Sequence, residues 1–145
     1  YRTQWILSRQ LHHEETQYDI ALRLRADSID SLNQVEIRQI LKEHGFPKKT
    51  EVGTSACEAA WIIIQHAPLD VQKEYLPMLE RAATEGNIQA TLVAALHDRI
   101  DVTEGRPQKY GTQRNRNGIC PLLNKKMVNQ WRKEVGLPPL DEYSK

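Results

Sequence analysis

A chain of 145 residues, 39% hydrophobic and 27% charged, has the length and composition of one globular domain with a core of its own. Its longest apolar run, Ala59-Ala60-Trp61-Ile62-Ile63-Ile64, is far short of the roughly 20 residues that span a bilayer, so a membrane helix is excluded. The net charge is only +1, but it is unevenly spread: residues 1–104 carry 11 basic and 16 acidic side chains, and residues 105–145 carry 9 and 3.

The first segment, Tyr1 to about Ala26, has no Gly or Pro and places Trp5, Leu11, Tyr18, Leu22 and Leu24 in a polar stretch, which predicts a helix exposed on one side. A second helix is expected from Ser31 to His44, where Leu32, Val35, Ile40 and Leu41 follow helical spacing and Gly45 and Pro47 supply the stop. Residues 45–54 read as a loop. Ser55-Ala56-Cys57-Glu58 has the form of a capping box and opens a helix running to His66, apolar almost all round and therefore central. Asp70 is placed to cap a fourth helix ending near Gly86, which Pro77 is expected to kink or split. A fifth helix, Asn87 to Ile100, is apolar through Ile88, Leu92, Val93, Leu96 and Ile100.

From Gly105 to Cys120, Gly105, Pro107, Gly111 and Gly118 exclude a long helix and predict a long loop that includes at most a short hairpin. A last helix is expected from Asn124 to Val135, ended by Gly136, with the tail Leu137-Pro138-Pro139-Leu140 packing back by its leucines. The fold class that follows is mainly α: a compact bundle of five or six helices with a long Gly/Arg-rich loop and little or no strand, one domain over 1–145 made of an N-terminal helix at 1–26 and a core at 27–145.

Two cysteines, Cys57 and Cys120, exclude a disulfide framework and a Cys-rich zinc site. A single bridge and two thiols both remain open. His12-His13-Glu14-Glu15 is not a metal motif either, because adjacent helical residues point about 100° apart; it reads as a solvated face. No metal or cofactor is assigned. The basic C-terminal part fits either an anionic partner or docking on the acidic part of the same chain. Nucleic acid is not favoured, since Tyr110 and Trp131 are the only aromatic residues between 105 and 135.

Three groups of polar residues sit where apolar helices end. Gln65 and His66 close the central helix, and His66 has the side chain whose unperturbed pKa of about 6.5 suits proton transfer at neutral pH. Asp98 and Arg99 close the fifth helix, with Arg99 on the stripe of Leu92, Ala95 and Leu96 and so in need of an anion. The loop then offers Gln108, Tyr110, Thr112 and Gln113 together with cations and free backbone amides. Each group also has a plainer reading, as a helix end facing water, a salt bridge or a solvated loop.

In this order the chain resembles a family of bacterial domains of unknown function. The residues that carry the resemblance are Gly45-Phe46-Pro47, where the family tends to have Gly-Trp-Pro, then Val52-Gly53, Ala60-Trp61, Gln65-His66-Ala67, Asp98-Arg99, Gly105 and Gln108-Lys109-Tyr110-Gly111-Thr112-Gln113. Val135-Gly136-Leu137, Pro139-Leu140 and Tyr143 look like its closing segment, so that the match covers about 30–143. The resemblance brings no reaction. It implies that Gln65, His66, Asp98, Arg99, Gln108, Tyr110, Thr112 and Gln113 belong to one recurring set; Phe46 departs from it only by lacking an indole N–H. Some relatives look exported, which leaves the compartment open between the cytoplasm and export with a signal removed.

Two functions follow. In the first, these residues line one pocket, and the domain is a hydrolase or group-transfer enzyme acting on a small anionic or polar substrate. His66 serves as acid/base, Asp98 orients it or a water, Arg99 holds an anionic group, and Gln65, Gln108, Tyr110, Thr112 and Gln113 bind the ligand. In the second, the same residues form an internal network in a non-catalytic module that meets a protein partner.

Overall fold

The computed structural model of the protein describes residues 17–140. Trp5, Leu11, His12 to Glu15 and Tyr143 lie outside them. The chain divides into two compact units, the first ending at Glu43 and the second starting at His44. The fold is mainly α, with six helices among the described residues and a minimal two-stranded sheet. No helix among them is long and apolar enough to cross a membrane.

The described part of the first unit is α1 (Gln17–His44). Leu22, Ala26, Ile37 and Leu41 fall along one side of it and are buried. The break expected between Ala26 and Ser31 is absent. Residues 27–30 contain no Gly or Pro, and the hydroxyls that could have stopped the helix turn back onto it: Ser28 Oγ donates to Leu24 O and Ser31 Oγ to Asp27 O, both at 2.8 Å. Such i−4 bonds are compatible with a continuing helix.

The second unit holds α2 (Lys49–Val52), α3 (Thr54–Gln65), α4 (Leu69–Thr84), α5 (Ala90–Thr103), a hairpin of β1 (Arg114–Asn115) and β2 (Gly118–Ile119), and α6 (Val128–Glu134). The segment expected as a loop before α3 thus contains a helical turn. Gly53 separates α2 from α3 and serves both ends: its N–H reaches Lys49 O at 2.9 Å, while its φ of +84° turns the chain into α3. That left-handed backbone suits glycine. The start of α3 is therefore set by backbone geometry, and no side-chain cap forms at Ser55. The same holds at α4, where Pro68 is the N-cap and Asp70 lies in the first turn.

Val71, Tyr75, Leu79 and Ala82 make one apolar stripe on α4, buried against α3 on one side and against α5 on the other. The α4–α5 pair is the more extensive, with Val93, Leu96 and Ile100 of α5 at i, i+3 and i+7. This packing accounts for Pro77, which lies inside α4 without splitting it. One lost hydrogen bond is outweighed where the flanking turns are held by buried Tyr75 and Leu79.

Gln72 is a buried polar residue of α4 with a specific task. Its Nε2 donates to Gln65 O at 3.0 Å and to Ala67 O at 2.8 Å, closing the last carbonyl of α3 and one in the turn that follows it. After α5 the chain runs irregularly to Asn124. The hairpin pairs Arg114 with Ile119 and Asn115 with Gly118, and Asn115 Oδ1 accepts the Asn117 amide at 2.8 Å to shape the turn. The last helix begins at Val128 rather than Asn124. Asn124 instead forms a turn before it, its Oδ1 accepting the amides of Lys126 at 3.0 Å and Met127 at 3.3 Å. Cys57 and Cys120 are both buried free thiols. Burial pushes the Cys57 thiol pKa up, and its Sγ lies 3.4 Å from Pro47 O.

Replacing Gln72 by Ala leaves two buried carbonyls without donors, a cost of about 1–3 kcal/mol. Thermal unfolding is expected to show a Tm several degrees lower; an unchanged Tm would mean that water replaces the amide there.

Candidate functional site

Asp98 organises the site region. It sits on the inward side of α5, fully buried, between Leu96 and Ile100. Its Oδ1 accepts the main-chain N–H of Lys109 and of Tyr110, each at 2.9 Å; its Oδ2 accepts the Thr112 N–H and the Thr112 Oγ1 hydroxyl, each at 2.9 Å, with Tyr110 N also at 3.2 Å. The carboxylate is thus wrapped by the 109–112 turn. Charge-assisted bonds of this kind offset the large cost of burying an ion. Gly111 makes the wrap feasible. Its φ is +69°, and a Cβ there would stand 3.0 Å from Leu140 Cδ1 and 3.1 Å from Leu122 Cδ2.

Gln108 anchors the same loop from its other side. It is fully buried, its Nε2 donates to Gln113 O and Cys120 O, both at 2.9 Å, and its Oε1 accepts the Gln113 amide at 2.8 Å. Gln113 Nε2 reaches Ala95 O at 3.3 Å and Thr112 Oγ1 at 3.1 Å, tying the loop to α5 again. Arg132 of α6, buried, donates through Nη1 to Tyr110 O at 2.7 Å and through Nε to Pro138 O at 2.6 Å. One side chain thereby fixes the loop and the segment after α6.

The structure brings Asp98, Gln108, Tyr110, Thr112 and Gln113 into one hydrogen-bonded assembly. The bonds that join these five do not include Gln65, His66 or Arg99. Gln65 and His66 lie half-buried at the C-terminal end of α3. Arg99 is exposed, since Leu92 and Ala95 are only half-buried and mark the margin of the α5 core face; Val93, Leu96 and Ile100 mark its centre.

A hollow of about 350 Å³ opens beside this assembly, between α4, α5, Tyr110 and the end of α6. Its polar lining includes His97, Tyr110, Glu80 and Glu134. The His97 and Tyr110 rings meet edge to face, 6.1 Å between centroids. His97 Nδ1 is buried and lies 3.2 Å from Asp101 Oδ2, one helical turn on, too far off line to form a hydrogen bond. The imidazole is about one-third exposed (33%), so its accessible edge is the one away from Nδ1. Asp101 is in turn held by Arg106, whose Nη2 and Nε lie 2.6 Å and 3.0 Å from Oδ1. Arg106 also pairs with Glu104, which Lys73 contacts from α4. The hydrogen bonds from Lys73 and then Arg106 hold the Glu104 carboxyl below its ordinary pKa, and those to Asp101 and Glu104 raise that of Arg106.

Sequence reasoning missed His97, Asp101, Glu80, Glu134 and Arg132. A signal for the first two was present: His97 and Asp101 are four residues apart on a helix, the spacing at which side chains meet. His97, Asp98 and Asp101 also each offer one ligand atom within 4.8 Å of the others. They fit a cation poorly. Both oxygens of Asp98 are taken by the loop, and Asp101 already faces the Arg106 guanidinium.

Asp98→Ala would strand three loop amides in a dry site at about 1–3 kcal/mol each. The expected outcome is a loss of 3 kcal/mol or more and a Tm fall of roughly 10 °C or more. Gly111→Ala is expected to act in the same direction more mildly, through a strained φ and contact with Leu140. Melting curves within about 2 °C of wild type for Asp98→Ala would show that the carboxylate does not anchor the loop.

No curated protein and no solved structure matches the chain. A family model covers residues 11–145, nearly the whole sequence and all of the assembly around Asp98, and on that coverage the chain belongs to the family of unknown function DUF6624.

Proposed function

We propose that the hollow between α4 and α5 is a small-molecule site in which His97 exchanges a proton with a polar ligand, as in hydrolysis or group transfer. The arrangement that supports this is a relay of three side chains ending at a cavity. Arg106 fixes Asp101, Asp101 faces His97 Nδ1 at 3.2 Å, and His97 lines the hollow. In this reading the carboxylate beside Nδ1 favours the tautomer with its proton there and leaves Nε2 to accept one from the ligand. Tyr110 lines the same hollow, its ring edge to face with His97, and in this reading it binds the ligand.

In this reading the acid/base is His97 in place of His66. Asp98, Gln108, Thr112 and Gln113 position Tyr110 and touch no ligand. Arg99, outside the assembly, holds no substrate.

A second reading has one observation in its favour. The oxygens of Asp98 and the amide of Gln108 are each saturated by loop donors and acceptors, as in a network whose task is to hold a surface for a protein partner.

A thermal-shift screen of polar metabolites against wild type, His97→Gln and Tyr110→Phe separates the two. Both substitutions lie at half-buried positions and are expected to leave Tm within a few degrees of wild type. A ligand at a hundred times its Kd stabilises the wild type by about 2.7 kcal/mol, and that shift is expected to shrink in both variants. A ligand that stabilises all three proteins equally would remove His97 from the site, and a screen with no ligand would favour the interaction module.

A further inference from the structure

We infer that the ligand of this hollow is a cation, a primary amine carrying a short apolar chain. The inference rests on the proposed site and adds the chemistry it selects. The residues lining the hollow include two carboxylates, Glu80 on α4 and Glu134 at the end of α6, and no lysine or arginine. Neither carboxylate makes an ion pair among the described residues; Glu134 Oε1 accepts only the Gln130 side-chain amide, at 3.4 Å. Two basic side chains close to Tyr110 are engaged elsewhere. Lys109 Nζ lies over the ring of Tyr110 at 5.1 Å and of Trp131 at 5.4 Å, and Arg132 is turned to Tyr110 O and Pro138 O.

The same lining has an apolar part, made by Ala83 of α4, Ala90, Val93 and Ala94 of α5 and Val135. Two exposed carboxylates and no cation in the lining give the hollow a negative potential, which attracts cations and repels the anions that the basic composition of residues 105–145 suggests. The volume of about 350 Å³ is at the small end for ligand sites, matching a compact molecule. Its ammonium would lie toward Glu80 and Glu134, where salt screens it, and its chain toward Val93 and Ala94. The tyrosine hydroxyl and the open edge of His97 complete the set of hydrogen-bonding groups. An amine, unlike a quaternary ammonium, has N–H groups to donate to them.

The test uses n-butylammonium chloride, n-butanol and sodium butyrate at matched ionic strength, followed by amide and imidazole NMR shifts of the full chain. Butylammonium is expected to shift Val93, Ala94, Tyr110 and the His97 ring saturably, more weakly as salt rises, with butyrate inert. Each of Glu80→Gln and Glu134→Gln is expected to weaken it about two- to fivefold, as for exposed ion pairs, with the rest of the spectrum unchanged. Equal or stronger shifts from butanol or butyrate at the same residues overturn the cation assignment while leaving the site in place. Shifts from none of the three overturn the amine assignment, and the metabolite screen then decides on the site separately. Shifts by butylammonium that survive the double Gln variant also overturn it.

Discussion

A single buried carboxylate determines where the irregular segment between α5 and α6 can go. Between α5 and α6 lie more than twenty residues with only a six-residue hairpin among them, and backbone amides in such a segment must find partners outside regular structure. Asp98 collects three of them and a hydroxyl on one side chain that α5 holds rigidly. An ionised carboxylate is acceptor-only, with about four lone-pair sites, so a turn offering four donors satisfies it and is satisfied by it. Gln108 does for the outer arm of the loop what Asp98 does for the inner one, with an amide that gives and takes at once. These two side chains stand in for the ladder of a sheet.

Other placements depend on that anchor. Tyr110 donates its N–H to Asp98, accepts Arg132 through its carbonyl and turns its ring to His97. The turn therefore sets the wall of the hollow and the position of α6 together. Arg132 extends the chain of dependence to Pro138, and Asn129 does so to the Leu140 amide at 2.9 Å. Moving Tyr110 would disturb all of these, so the wall it gives to the hollow is preformed, with little room to adapt.

Periodicity made the helices legible, because burying one face of each is what makes them form. What periodicity does not contain is the strength of a break. Asp27-Ser28-Ile29-Asp30 resembles a junction in composition, yet without Gly or Pro nothing forces one, and the helix runs through. The caps misled for a related reason: Ser55 and Asp70 have the right chemistry, but Gly53 and Pro68 had already fixed the chain's direction one or two residues earlier. At the site, the sequence marked Asp98 and the loop residues as a set without saying who accepts from whom. It paired Asp98 with Arg99 because they are neighbours. On a helix neighbours diverge by about 100°, so Asp98 goes into the core and Arg99 into solvent, and the partner that shares a face with His97 is Asp101, four residues on.

The two acids of α5 show how position separates structural from chemical roles. Asp98 is surrounded by neutral amide donors in a dry environment, and every lone pair is in use, so it has nothing left to offer a substrate. Asp101 is three residues further along, nearly one turn, only half-buried, and shared between a guanidinium and an imidazole. Arg106, drawn from the basic part of the chain, is used up in holding it, as Arg132 is in holding Tyr110. The positive excess of residues 105–145 is therefore partly spent inside the molecule, and the hollow beside it faces outward with two acids. Local geometry, and not the charge balance of the segment, decides which sign of ligand the site attracts.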